Sequence, residues 1–166
     1  NRTAAVWGAY DREADRWTLF YEHYVGQQEP SLHARAIQAP GDWIKGCIDP
    51  GARGRSQNDG EQLLQDYNDL GLRLDVADNA VEAPLYQIWE RLSTGRLKVF
   101  RSLSNWRKEM KLYRRDDKGH IVKRDDHLMD AMRYLISSGR AIAKPVPVEK
   151  PASEPRRSAG AHGWMG

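Results

Sequence analysis

The chain has 166 residues, 40% hydrophobic and 30% charged, with six Trp and seven Tyr, which suits one domain burying roughly two thirds of its extended surface and excludes a disordered chain. The single cysteine, Cys47, excludes an internal disulfide and a multi-cysteine zinc cluster, and the sequence has neither a run of about 18 apolar residues nor a signal-peptide core, so a cytoplasmic protein is expected. The net charge of +3 conceals an asymmetry: residues 1–95 carry nine Lys or Arg against fifteen Asp or Glu, whereas residues 96–144 carry fourteen against six. The second part can face phosphates while the first supplies carboxylates, although mixed charge also suits an ordinary solvated surface.

The chain opens on an apolar strand, Thr3 to Tyr10, then a polar turn, Asp11 to Asp15, and an aromatic-rich strand, Trp17 to Val25, which together predict an antiparallel hairpin. Asn1 and Arg2 give no lead-in to a strand that reads as internal to a sheet, so further chain is expected upstream. Pro30 with Leu32, Ala36 and Ile37 predicts a short helix ended by Pro40-Gly41. Trp43 to Asp49 reads as a strand with an acid at its end. Leu63, Leu64, Tyr67 and Leu70 fall on one face of a helix over 61–70 with Gly71 as its C-cap. A strand over 72–76 follows, then a helix over 81–92 with Leu85, Ile88, Trp89 and Leu92 on its packed face, and a strand over 97–100. A helical stretch over 103–110 leads to a basic hairpin whose limbs are Met110 to Tyr113 and Ile121 to Lys123. The last helix opens near Asp126 and buries Leu128, Ala131, Met132 and Leu135. From Pro145 onward the composition predicts a flexible tail, leaving a domain over 1–144. Alternating strands and helices imply an α/β fold with a mixed sheet and flanking helices.

Three constellations can carry chemistry. Asp49 ends a strand and precedes a small-residue loop containing Gly51, Arg53, Gly54 and Arg55, which suits a cation or phosphate at a sheet edge. The same acid equally caps its own turn. In the segment Lys123 to Tyr134, helical spacing lets His127 and Asp130 share a side with Asp126 adjacent. Acids at a helix start are also explained by the local amide groups, although Asp130 is interleaved with packing residues and fits that explanation less well. Two acids from distant segments are compatible with a divalent cation that offsets their repulsion, as in phosphodiester hydrolysis. His127 can then orient water, contact the metal or shuttle a proton, or it can be an ordinary surface histidine. Finally, Lys111, Arg114, Arg115, Lys118, Lys123 and Arg124 form a basic group able to grip a DNA backbone without reading bases, or simply a solvated loop. No Walker sequence, Ser-His-Asp signature or dinucleotide fingerprint is present.

The segment Asp126-His127-x-x-Asp130-Ala131-x-Arg133-Tyr134, with Asp49 at the end of its strand, resembles the C-terminal nuclease domain of tailed-bacteriophage terminase large subunits, particularly those of the podovirus headful-packaging type. The resemblance extends from the opening hairpin to about Ser138. It implies a ribonuclease H-like fold, two Mg or Mn ions, and an endonuclease that cuts concatemeric viral double-stranded DNA in the host cytoplasm. It further implies the terminase small subunit and the procapsid portal as partners of the full protein, and no membrane association. Carried across, Asp49 and Asp130 look like two acids of the metal-binding triad, His127 like the accompanying histidine and Asp126 like a further catalytic participant. Arg133 and Tyr134 look like supports for the site, while Arg53, Arg55, Arg114, Arg115, Lys118, Lys123 and Arg124 are candidate DNA contacts by charge and placement alone. Glu109 and Tyr113 match a pattern preceding the basic hairpin. The family's first acid lies on a strand ahead of the opening hairpin, and Asp11, Glu13 and Asp15 sit at the wrong end of that hairpin to replace it. A noncatalytic DNA- or procapsid-binding fragment on the same scaffold is the alternative, and a recombination nuclease is a more distant one.

Overall fold

The computed structural model describes residues 2–53 and 57–147, with the side chains of residues 52–62 left out. Strands β1 (Arg2–Asp11) and β2 (Arg16–Gly26) form the long antiparallel hairpin expected from their alternating aromatic and polar residues. Its turn is closed by Asp11, which accepts bonds from the amides of Glu13 (3.1 Å) and Ala14 (3.0 Å) and from Arg16 (3.1 Å). Asp15 is held by the Tyr10 hydroxyl (2.6 Å), Arg91 (3.0 Å) and Arg96 (2.8 Å), and these bonds, that of Tyr10 first, keep its carboxyl below the usual range. Both acids are consumed in structural contacts at the turn.

Helix α1 (Pro30–Gln38) follows, then β3 (Gly46–Ile48), a 3-10 turn (Pro50–Arg53), α2 (Gln57–Asp69), β4 (Leu74–Val76), α3 (Glu82–Ser93), β5 (Leu97–Val99), α4 (Ser104–Leu112) and α5 (His127–Ile142). Strand β5 joins β2 in parallel, giving the order β1-β2-β5, while β3 and β4 make a separate parallel pair. The strand expected over Trp43 to Asp49 shortens to three residues because its partner β4 is only three residues long, with Gly46 donating to Arg73 at the start and Ala77 donating to Ile48 at the end. Gly71 adopts φ +90 after α2, the left-handed conformation expected of a helix-ending glycine.

Helix α5 lies against β1, and Gly8 permits the approach: a Cβ there would stand 2.7 Å from Leu135 and 3.0 Å from Trp17. Gly8 also marks the register irregularity between Trp7 and Gly8 that bends β1. The main core gathers Trp17, Leu19, Ile88, Leu97, Leu103, Trp106, Leu128, Met129, Met132 and Ile136. A smaller cluster of Ala34, Tyr67 and Leu72 holds α1 and α2 together. Helix α1 is also tied to β2 through a buried hydrogen bond of 2.9 Å between His23 Nε2 and His33 Nδ1.

Two further expectations need correction. Trp89 is 65% exposed rather than packed; the buried side of α3 is carried by Ile88, with Leu85 and Leu92 against the core. Met110 to Tyr113 is not a strand, since α4 runs on through Leu112 and the Tyr113 amide still bonds to the Glu109 carbonyl. The basic hairpin begins later, with one bridge between Arg115 and Ile121 and a Val122 to Arg114 backbone bond. Its turn is tied by Asp116, which accepts from the amides of Lys118 (2.9 Å) and His120 (2.8 Å).

Helices α4 and α5 have no side-chain cap of their own. Carboxylates from other elements replace one. Glu22 of β2 accepts from the amides of Asn105 and Trp106, both at 2.9 Å. Glu109 of α4, itself buried, accepts from the amides of Leu128 (2.7 Å) and Met129 (3.3 Å) at the start of α5. Each acid satisfies orphan donors at a positive helix end, so β2 positions α4 and α4 positions α5. Among the described residues, no helix is long and apolar enough to cross a membrane.

Candidate functional site

Asp49 leaves the C-terminal end of β3, and Asp130 projects from the first turn of α5. Both line one groove of about 1180 Å³, together with His127 and Tyr134. The groove is bounded by β1 on one side and β3 on the other. Among the described residues, β1 pairs only with β2 and β3 only with β4, so the groove lies between two free strand edges.

Each acid is oriented by a different neighbour on α5. The Tyr134 hydroxyl donates to Asp49 Oδ1 at 2.7 Å, and the Gly51 amide donates to the same oxygen at 2.7 Å. Burial and then the bond to Asp49 push the Tyr134 hydroxyl well above its ordinary pKa, so it remains a donor at neutral pH. Arg133 reaches Asp130 Oδ1 with two nitrogens, at 3.2 and 3.3 Å, and also donates to the Ala80 carbonyl at 2.6 Å. Its guanidinium lies 4.3 Å from the centre of the Tyr134 ring. Asp49, Tyr134, Arg133 and Asp130 therefore form a continuous chain of contacts linking β3 to α5.

Lys123 lies across the other oxygen of Asp130, with Nζ 2.9 Å from Oδ2 and 3.2 Å from Asp126 Oδ2. Burial works to lower the Lys123 pKa, but the bonds and charges of Asp130 and then Asp126 outweigh it and raise the value. The lysine is thus a permanent cation between two carboxylates. Asp126 is buried at the helix start and does not line the groove. His127 is exposed, with its ring 6.3 Å from that of Tyr24. Cys47 has its thiol pushed up to about 11 by burial and then by Asp75, so it stays protonated and is no nucleophile.

The basic residues divide. Arg115 is bound to Glu82 at 2.7 Å and to the Gly119 carbonyl at 2.7 Å. Arg114 and Lys118 are exposed in the hairpin, and the Arg124 side chain is 86% exposed, with Asp125 at 3.8 Å. The side chain of Arg53 and the whole of Arg55 fall outside the described residues. The expected tail from Pro145 is described only through residue 147. The capping role of Glu109 and the pairing of Lys123 with acids, rather than with a ligand, were not read from the sequence. The only available signal was the spacing of Lys123, Asp126 and Asp130 at three and four residues, which becomes informative once the helix start is known.

A divalent cation of the Mg or Mn kind prefers several carboxylate oxygens. Asp49 and Asp130 offer the correct donor chemistry on one groove. Among the described residues, however, no group of three His, Cys, Asp or Glu stands close enough together to hold an ion. The donor type fits, and the donor count requires a further acid.

The terminase RNaseH-like domain matches residues 1–138. The terminase large subunits of Enterobacteria phage LP7 and Salmonella phage P22 are each 30% identical over 135 residues, covering 75% of this chain and 28% and 26% of theirs. The chain thus spans about a quarter of the length of those relatives. Its fold superimposes on the P22 large terminase nuclease domain with a TM-score of 0.73 at 26% identity, covering 84% of this chain and 76% of that one. It also matches the nuclease domain of the large terminase g2p from bacteriophage SPP1 at a TM-score of 0.55 and 17% identity, covering 85% of this chain and 80% of that one. The chain therefore belongs to the terminase RNaseH-like domain family, the nuclease domains of bacteriophage terminase large subunits.

Proposed function

We propose that this chain is the DNA-cutting domain of a genome-packaging terminase, a divalent-metal-dependent endonuclease acting on concatemeric viral double-stranded DNA. One observation carries the reading: Asp49 and Asp130, from segments far apart in sequence, face the same groove with His127 beside them. Asp49 and Asp130 would hold Mg or Mn, two ions in all, which when bound supply a polarised water and charge stabilisation for phosphodiester hydrolysis. Tyr134 keeps one carboxylate in place, and Arg133 keeps the other. His127 is suited to hold or move a proton at the groove surface. Asp126 acts through Lys123 at the helix start. Arg53, Arg55, Arg114, Lys118 and Arg124 contribute sequence-independent phosphate contacts, joined by Arg115 and Lys123 when phosphate competes for their acids.

The missing donor is assigned to a strand entering between β1 and β3, in keeping with the family resemblance, whose first acid precedes the hairpin. Two free edges flanking an apolar groove suit an added strand, because its backbone groups would find partners on both sides. The small subunit and the procapsid portal are the partners expected of the full protein. The domain boundary is placed at 144, where the sequence turns rich in Pro, Ser, Ala and Gly.

The test is cleavage of supercoiled plasmid by residues 1–166 and by a chain extended upstream, each with Mg, Mn or EDTA. Metal-dependent cutting by the extended chain, lost in Asp130→Asn and in Asp49→Asn with folding retained, is the expected result. Normal cutting by a folded Asp130→Asn would remove the assignment. The second reading, a noncatalytic binding fragment, draws on the engagement of Asp130 by both Lys123 and Arg133, and cutting by neither chain would favour it.

A further inference from the structure

On the side of α3 away from the core, Tyr86 and Trp89 are 67% and 65% exposed, with ring centres 6.1 Å apart at 39°. They form one wall of a second groove, of about 390 Å³, whose opposite side includes Tyr113, Arg114 and Arg115. Arg115 is bound to Glu82, but both side chains are largely exposed, at 43% and 74%, so a phosphate can compete for the guanidinium. Arg114 stands on the same rim.

We propose that this groove binds unpaired nucleotides of the DNA strand that runs to the Asp49 and Asp130 groove. The inference rests on the nuclease reading for the identity of that strand. Three observations support a nucleic acid occupant. Two aromatic rings with open faces, one helical turn apart, can stack bases of any sequence, and arginines at the rim attract the connecting phosphates. Bases within a duplex already stack on one another and offer no free face, so the occupant is unpaired. Met132 of α5, the helix that also carries Asp130, lines the groove, as does Tyr113. A partner helix would use the apolar wall but would gain little from two arginines, which makes a strand with a phosphate backbone the better match.

Fluorescence anisotropy in EDTA, using residues 1–166 with a labelled oligothymidylate of about twelve nucleotides and a blunt duplex of equal length, tests the assignment. Trp89→Ala should weaken oligothymidylate binding about tenfold, and Tyr86→Ala should weaken it in the same direction. Trp89→Phe should restore it, and duplex affinity should be unchanged throughout. The substituted side chains are exposed, and thermal melts establish that the variants fold. Absence of oligothymidylate binding by the parent chain overturns the proposal, as does unchanged binding by Trp89→Ala or an equal loss on both DNAs. Self-association of the parent chain that Trp89→Ala abolishes, with oligothymidylate binding unaffected, reassigns the face to a protein partner. No metal or cleavage enters the readout, so oligothymidylate binding as described, together with failure of the chain extended upstream to cut plasmid, defeats the nuclease reading alone.

Discussion

Asp130 meets two cations of opposite exposure, and this contrast predicts two very different substitutions. The Arg133 side chain is 4% exposed and that of Lys123 is 62% exposed, while Asp130 itself is 24% exposed. In Arg133→Met, the bonds to Asp130 and to the Ala80 carbonyl are lost together, along with the contact with the Tyr134 ring. Removing one partner of a buried ion pair costs about 3 to 5 kcal/mol. Because Asp130 retains some access to water, the lower end applies, about 3 kcal/mol, which for a chain of this size corresponds to a fall in Tm of roughly 6 to 12 °C. In Lys123→Met, a solvent-exposed ammonium is removed, and the expected change is below about 1 kcal/mol. Calorimetric melts of both variants at one pH and ionic strength give the comparison. A loss in Lys123→Met equal to that in Arg133→Met, or a Tm for Arg133→Met within about 2 °C of the parent, would refute the view that the buried guanidinium holds Asp130 in place.

Glu109→Ala leaves the amides of Leu128 and Met129 without their buried acceptor and should cost about 2 to 4 kcal/mol in urea unfolding, more than an ordinary exposed cap; a loss below about 0.5 kcal/mol would mean the cap is dispensable. For His23, burial and then the neighbouring His33 lower the folded-state pKa from 6.5, so the unfolded chain takes up a proton first as pH falls. Stability should therefore be full above pH 6.5 and decline below it, by at most about 1.4 kcal/mol per pH unit for one proton, and His23→Gln should flatten that decline in melts between pH 7.5 and 5.5. Joint neutralisation of Arg114, Arg115 and Lys118 should reduce the slope of log affinity for duplex DNA against log salt by about 2 to 3, since each phosphate contact contributes about 0.9; an unchanged slope would place the DNA elsewhere.

Local signals were sufficient for most elements because their causes lie within a few residues. The hairpin β1–β2 follows from alternation about a polar turn, α1 from Pro30 at its first position, and the end of α2 from Gly71 at φ +90. The same local reasoning extended β3 by four residues too many, since strand length is set by a partner distant in sequence. It also ended α4 too early, because Met110 to Tyr113 alternates apolar and polar residues well enough to pass for a hairpin limb. Trp89 shows the limit of periodicity, which defines a face to within one side chain but not whether a large aromatic at its border is covered.

The sequence by itself determined which residue types were available for chemistry: an acid at a strand end, two more with a histidine at a helix start, and a basic segment immediately before them. Their spacing along one helix made Asp130 and His127 neighbours whatever the remainder of the chain did. Only the tertiary structure decided that Asp49 shares their groove, that Tyr134 and Arg133 orient one carboxylate each, and that Lys123 occupies the space between Asp126 and Asp130. It alone showed that Glu22, from a strand, and Glu109, from α4, cap the starts of α4 and α5. The physical reason is common to all of these. A cap, an ion pair or a shared groove depends on distances of about 3 Å between segments far apart in sequence, and such distances are set by core packing, not by local propensity.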